Sequence, residues 1–210
     1  MPDDPVTDAP LDDARPLRPV DVVLAGHRGD VATARRGFAS LDPAAREVAI
    51  GALDRLGALD EGALVQALSD DTPAVRRRAC DIAATFDGTD ELRRSLSASL
   101  HDDDALVVEA ACWALGEQRT ADAIPALSHV ARSHADIRAR EAAVAALGAI
   151  GEPAGLGAVL DALGDKPTVR RRAVVALAAF EGEEVTAALE RAAADRDWQV
   201  REVAEILRDQ

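Results

Sequence analysis

The sequence predicts an all-α fold: an α-solenoid (superhelix) of about six helix–turn–helix units of about 31 residues each. Three observations predict it. The octet TPAVRRRA at 72–79 returns as KPTVRRRA at 166–173. Taking the residue before the first arginine as an anchor, anchors fall at Ala45, Val75, Val107, Ala139, Val169 and Val200, spaced 30, 32, 32, 30 and 31 residues apart, each with alanine four residues on. Finally, 48% of the chain is hydrophobic while only 2% is aromatic and tyrosine is absent. That leaves mostly Ala, Leu and Val, which suit closely packed helices and make a poor sheet core.

The elements follow in order. Residues 1–19 are acidic and proline-rich and are expected to form a disordered N-terminal tail. They lack the basic start and apolar stretch of a signal peptide, and no apolar run of about 18 residues follows. The chain is therefore expected to be cytoplasmic, with residues 20–210 forming a single repeat array. Three residues before each anchor stand Asp42, Thr72, Asp104, Asp136, Lys166 and Asp197. Pro43, Pro73 and Pro167 follow three of them, the pattern of an N-cap with proline at the first helical position. The anchor and the alanine four on share a helical face with Leu53, Ile82, Leu115, Leu147 and Leu177. Alanine recurs where a neighbouring helix must come close. The breakers FDGTD, GEQRTAD, AIGEPAG and FEGEE end these helices, while EGALVQALSD and ADAIPALSHVARS read as first helices of their units. The last stretch, VREVAEILRDQ, ends in charge, as a capping helix should.

The pattern Asp-x-x-Val-Arg-x-x-Ala followed by Leu-Gly, as in DALVVEAACWALGEQ and DIRAREAAVAALGAIG, resembles the short HEAT-like repeats, also called PBS-lyase HEAT-like repeats. The resemblance spans residues 28–210. It implies a structural ladder in which the capping Asp and the Arg after the anchor lock successive repeats. That role falls to Asp42, Asp104, Asp136 and Asp197 with Arg46, Arg76, Arg140, Arg170 and Arg201, with breaks expected at Val108 and Lys166.

Net charge is −14, with 25 Asp against 13 Glu and 23 Arg against the single Lys166. This resembles the composition of halophilic proteins, although GC-rich coding also favours Arg and Ala. The acidity argues for solubility and against nucleic acid, which needs a basic face. HEAT-like arrays of the deoxyhypusine hydroxylase type hold iron with His-Glu pairs; here His27, His101, His129 and His134 are followed by Arg, Asp, Val and Ala. DNA-glycosylase-type relatives need a basic concave face with aromatics. No Walker loop, GxSxG or HExxH pattern appears, so no catalytic residue, metal or cofactor is assigned and no enzyme is expected. Cys80 and Cys112 read as reduced, semi-buried core residues.

The expected function is a protein–protein interaction scaffold, with no membrane partner, that binds another protein or a peptide segment along the inner face. Six residues beyond each anchor lie Gly51, Asp81, Trp113, Ala145, Val175 and Ile206, apolar from the third unit on. Trp113, Ala145, Val175 and Ile206 are candidates for apolar contact. Arg77, Arg78, Arg171 and Arg172, which the repeat does not require, are candidates for holding an acidic stretch; the alternative is solvated pairing with nearby glutamates. Trp198 is expected to pack the final repeat. The alternative function, which the lyase resemblance implies, is an accessory or chaperone-like subunit of a cofactor-modifying, bilin-lyase-like enzyme.

Overall fold

The computed structural model describes residues 17–209. Among them lie thirteen α-helices and no strand: α1 (Pro19–Arg28), α2 (Val31–Phe38), α3 (Pro43–Arg55), α4 (Glu61–Leu68), α5 (Pro73–Ala83), α6 (Asp90–Ala98), α7 (Ala105–Glu117), α8 (Ile124–Ser133), α9 (Ile137–Ile150), α10 (Leu156–Ala162), α11 (Pro167–Ala176), α12 (Glu183–Ala192) and α13 (Trp198–Arg208). The predicted tail falls mainly on residues 1–16, outside the described residues. Arg18 and Pro19, read as tail, instead form the cap and first turn of α1, where Arg18 pairs with Asp21 at 2.8 Å. No helix among the described residues is long and apolar enough to cross a membrane.

The helices alternate between two rows. An outer row holds α2, α4, α6, α8, α10 and α12; an inner row holds α3, α5, α7, α9, α11 and α13. Six pairs result, and α1 is an additional inner helix packed on α3, which the repeat spacing did not show. All six anchors and all six following alanines are buried, as are Leu53, Ile82, Leu115, Leu147 and Leu177. One cluster around Val22, Ala34, Ala45 and Ala49 joins α1 to α3, and a second runs unbroken from Ile50 to Ala204. The Leu-Gly of the repeat has a packing reason. A Cβ at Gly116 would lie 2.9 Å from Ala146 Cα, and one at Gly148 would lie 2.7 Å from Ala176 Cβ. Neighbouring inner helices touch there through backbone and alanine, so a side chain would force them apart.

The ladder differs from the expectation. The cap aspartates do not receive the ladder arginines. Asp42, Asp104, Asp136 and Asp197 accept from the backbone N–H of Ala44, Leu106, Arg138 and Gln199, the ordinary work of an N-cap. The ladder acids sit just before the caps. Arg46 Nε donates to Asp70 at 2.7 Å, Arg76 to Asp102 at 2.6 Å, Arg140 to Asp165 at 2.7 Å and Arg170 to Asp195 at 3.0 Å. Each pair is bidentate through Nη2, the geometry a guanidinium fork prefers. The same carboxylates accept the backbone N–H of the following cap residue: Thr72, Asp104, Lys166 and Asp197. Each arginine also donates Nη1 back to the turn before its own helix, Arg76 to Asp70 O at 2.7 Å and Arg201 to Asp195 O at 2.8 Å. One guanidinium thus ties its own turn to the next repeat's turn. Arg201, in the final repeat, keeps only the backbone half.

Of the two expected breaks, one is present. Lys166 interrupts nothing, because Asp165 beside it receives Arg140. Val108 is a true gap, and the position that would receive an arginine there is His134, which instead accepts the Asp136 N–H at 3.1 Å. Both partners of that rung are replaced together, and Val108 is fully buried.

Arg46 pairing holds Asp70 below the usual carboxylate range, and Arg140 and Arg170 do the same to Asp165 and Asp195. At Asp102 burial pulls upward, but the Arg76 hydrogen bond and other contacts prevail and the carboxyl stays low.

Candidate partner-binding groove

The turn geometry aims one face of every inner helix away from the outer row. On that face four clefts line up. The first, about 320 Å³, lies among α1, α3 and α5 and is lined by Val23, Glu47, Val48, Gly51, Arg55, Arg77, Arg78 and Asp81. The second, about 270 Å³, lies between α5 and α7 and shares Arg77 and Asp81 with the first. The third, about 440 Å³, lies between α7 and α9 and shares Glu109 and Trp113 with the second. The fourth, about 320 Å³, lies between α9 and α11 and shares Ala145, Ala149 and Arg172 with the third. Shared walls make these one groove crossing six inner helices, α1, α3, α5, α7, α9 and α11.

Trp113 stands at its centre, 46% exposed, with its ring bordering two clefts. Ala145 is half-buried on the floor, and Val175, 48% exposed, lines the α11 end. Ile206 is exposed on α13 but lines none of the four clefts. Trp198, expected to pack the last repeat, is 60% exposed at the start of α13.

The arginines divide. Arg171 pairs with Asp197 at 2.6 Å and lines none of these clefts. Arg172 reaches Glu141 at 3.3 Å while bordering the third and fourth. The side chains of Arg77 and Arg78 make no hydrogen bond or ion pair among the described residues, though both line the first cleft. Burial there raises the Asp81 carboxyl, with Arg78 and Arg77 pulling it back.

Sequence reasoning missed Arg55, Glu117 and Ala149. All three lie ten residues past their anchors, one turn beyond the chosen row, and the i, i+4 rule would have added them. Cys80 and Cys112 are free and fully buried, deeper than a half-buried reading; burial pushes the Cys80 thiol up to about 12 and raises Cys112 as well. No group of three or more His, Cys, Asp or Glu able to hold a metal occurs among the described residues.

The family model for HEAT repeats matches residues 61–139 and 126–208. The chain belongs to the HEAT-repeat family. The matched segments cover the second to sixth helix pairs, leaving α1 to α3 outside, the same part that forms a core cluster of its own. No functionally curated sequence matches this HEAT-repeat protein. Among solved structures, the protein YibA of Escherichia coli is similar at a TM-score of 0.64 and 15% identity, over 90% of this chain and 74% of its own. A designed armadillo repeat protein in complex with the peptide (KR)4 is similar at a TM-score of 0.58 and 20% identity, over 91% of this chain and 98% of its own. Human deoxyhypusine hydroxylase in complex with glycerol is similar at a TM-score of 0.50 and 26% identity, over 77% of this chain and 68% of its own.

Proposed function

We propose that this HEAT-repeat protein is a non-enzymatic scaffold that holds an extended segment of another protein along its inner helices. The observation that carries this reading is the continuity of the groove: four clefts joined through shared Arg77, Asp81, Glu109, Trp113, Ala145 and Arg172. A solenoid presents such a face because each repeat contributes one stripe of it. Trp113 supplies the apolar anchor, Ala145 and Val175 the floor beyond it, and Ile206 extends the row on α13. A large aromatic at the centre of a groove is where binding energy concentrates. Arg77 and Arg78 face the groove without ion pairs and suit an acidic stretch. Arg172 borders the groove while paired with Glu141, whereas Arg171, paired with Asp197, lies outside the four clefts. That a repeat protein of similar fold is known with a peptide bound supports the reading. So does the lack of any His-Glu pair in the chain, the arrangement through which a HEAT-like array would carry iron.

The test is an affinity capture from native lysate at high salt, with wild type and Trp113→Glu side by side. The reading expects a protein retained by wild type and lost by the variant. Identical captures from both would remove the groove from the site.

A further inference from the structure

The α3–α5 end of the groove shows what kind of segment fits, an inference that rests on the groove reading above. We infer that the cleft among α1, α3 and α5 takes the carboxylates of an acidic stretch of a separate protein, held by Arg78 and Arg77, with Gly51 as the residue that keeps Arg78 in place.

The repeated octet supplies an internal control. In 166–173, Arg171 pairs with the next cap, Asp197, and Arg172 with Glu141. Residues 72–79 have the same acids at the same positions: Asp104 is the next cap after Arg77, and Glu47 precedes Arg78 by the same 31 residues that separate Glu141 from Arg172. Neither pair forms. For Arg78 the cause is visible. A Cβ built on Gly51 would lie 2.8 Å from its Nη2, 3.3 Å from Nε and 3.5 Å from Cζ. The guanidinium therefore rests against the α3 backbone, in space that only glycine leaves. The residue equivalent to Gly51 beneath Arg172 is Ala145, whose Cβ occupies that space, and Arg172 turns to Glu141 instead.

Gly51 has no packing reason of the kind Gly116 and Gly148 have. The three atoms that a Cβ there would lie nearest all belong to the end of the Arg78 side chain. Glycine inside a helix is unfavourable relative to alanine, so what it provides at this position is the seat for a cation. That cation is half-buried and forms no salt bridge, Asp81 in the same cleft acting on it only at longer range, so an incoming anion would supply the direct partner. The cleft holds Arg55, Arg77 and Arg78 against Glu47 and Asp81. Past Trp113 the groove turns to Glu109, Glu117 and Glu141, its arginines there being Arg138, paired with Asp136, and Arg172, paired with Glu141. An occupant with carboxylates at one end and small apolar side chains toward Ala145 and Val175 matches both halves. Because the whole chain carries −14, general attraction favours basic ligands, and acidic binding reports this local site.

The probe is a fluorescein-labelled peptide with a glutamate run at one end and a Leu-Ala run at the other, beside a copy with glutamine replacing glutamate. Anisotropy should show the glutamate form binding full-length protein about tenfold more tightly, a preference lost in Arg78→Ala and weakened as salt rises. Gly51→Ala should lose the same preference while unfolding no more easily than wild type, which separates the site from stability. Equal binding of the two peptides, or an unchanged preference in both variants, overturns the inference. If Trp113→Glu still abolishes binding in that case, the groove reading survives alone; if it does not, both fail. If removing residues 1–16 raises affinity and a peptide of those residues competes, the occupant is this chain's own acidic segment and a separate partner is refuted.

Discussion

The two arginine octets begin alike and end differently. In each, the first arginine, Arg76 or Arg170, clamps its own turn to the next repeat's aspartate. The later two then diverge: Arg171 and Arg172 are tied into carboxylates, whereas Arg77 and Arg78 stay in the groove without one. A single methyl group, present at Ala145 and absent at Gly51, accounts for the divergence at the third arginine. In a repeat protein the repeated letters belong to the stack, and function collects where one copy departs from the others.

The comparison can be broken most severely at the missing rung. Val108→Arg places a guanidinium in a fully buried position facing His134 and should cost about 3–4 kcal/mol. Adding His134→Asp should return most of that loss, because the pair recreates the rung found at the other junctions; a double-mutant cycle in urea reads the coupling. Next come the rungs themselves. Arg170→Ala removes a nearly buried bidentate partner and should cost about 2–3 kcal/mol, with Arg76→Ala close behind, both read as shifts in the urea midpoint.

Acid should undo all the rungs together. Asp70, Asp102, Asp165 and Asp195 have folded-state pKa values below their unfolded ones. Their contribution is present above the unfolded value, about 4, and is lost as pH falls toward the folded values. Thermal midpoints should therefore hold near neutral pH and drop below about pH 4, with Arg170→Ala losing less over that range than wild type.

The smallest effects sharpen the difference between the later arginines. Arg171→Ala should lower the thermal midpoint slightly, since its pair with Asp197 is partly solvated, and Arg77→Ala should leave it unchanged. Equal losses in thermal unfolding would erase the distinction drawn between the octets.

Much of the fold was legible because its signal is local. Anchors and alanines repeat in register, and Pro43, Pro73 and Pro167 mark helix starts. The ladder acids were not legible. Five residues before the anchors stand Ser40, Asp70, Asp102, His134 and Asp195, with Asp165 one place nearer at Lys166; two of these positions are not acidic, and cap aspartates such as Asp104 and Asp197 lie two residues on, so the sequence did not say which carboxylate receives the arginine. α1 was missed because its helix lacks the repeat's marks: Val22, taken as its anchor, is followed by Val23 where most units carry arginine, and four residues on by Gly26 where all carry alanine. Of the groove, Trp113, Ala145 and Val175 followed from helical arithmetic. The part played by Gly51 did not, because it depends on how closely α3 and α5 approach and on where one side chain comes to rest.

The central claim is that two arginines on the same helix turn, Arg76 and Arg78, serve different ends. The direct test measures urea unfolding and binding of the glutamate–leucine peptide for Arg76→Ala and Arg78→Ala together. The account predicts that Arg76→Ala loses about 2–3 kcal/mol of stability while its folded form binds as wild type does, and that Arg78→Ala keeps its stability and binds about tenfold more weakly. Stability lost in both, or binding kept in Arg78→Ala, would contradict it.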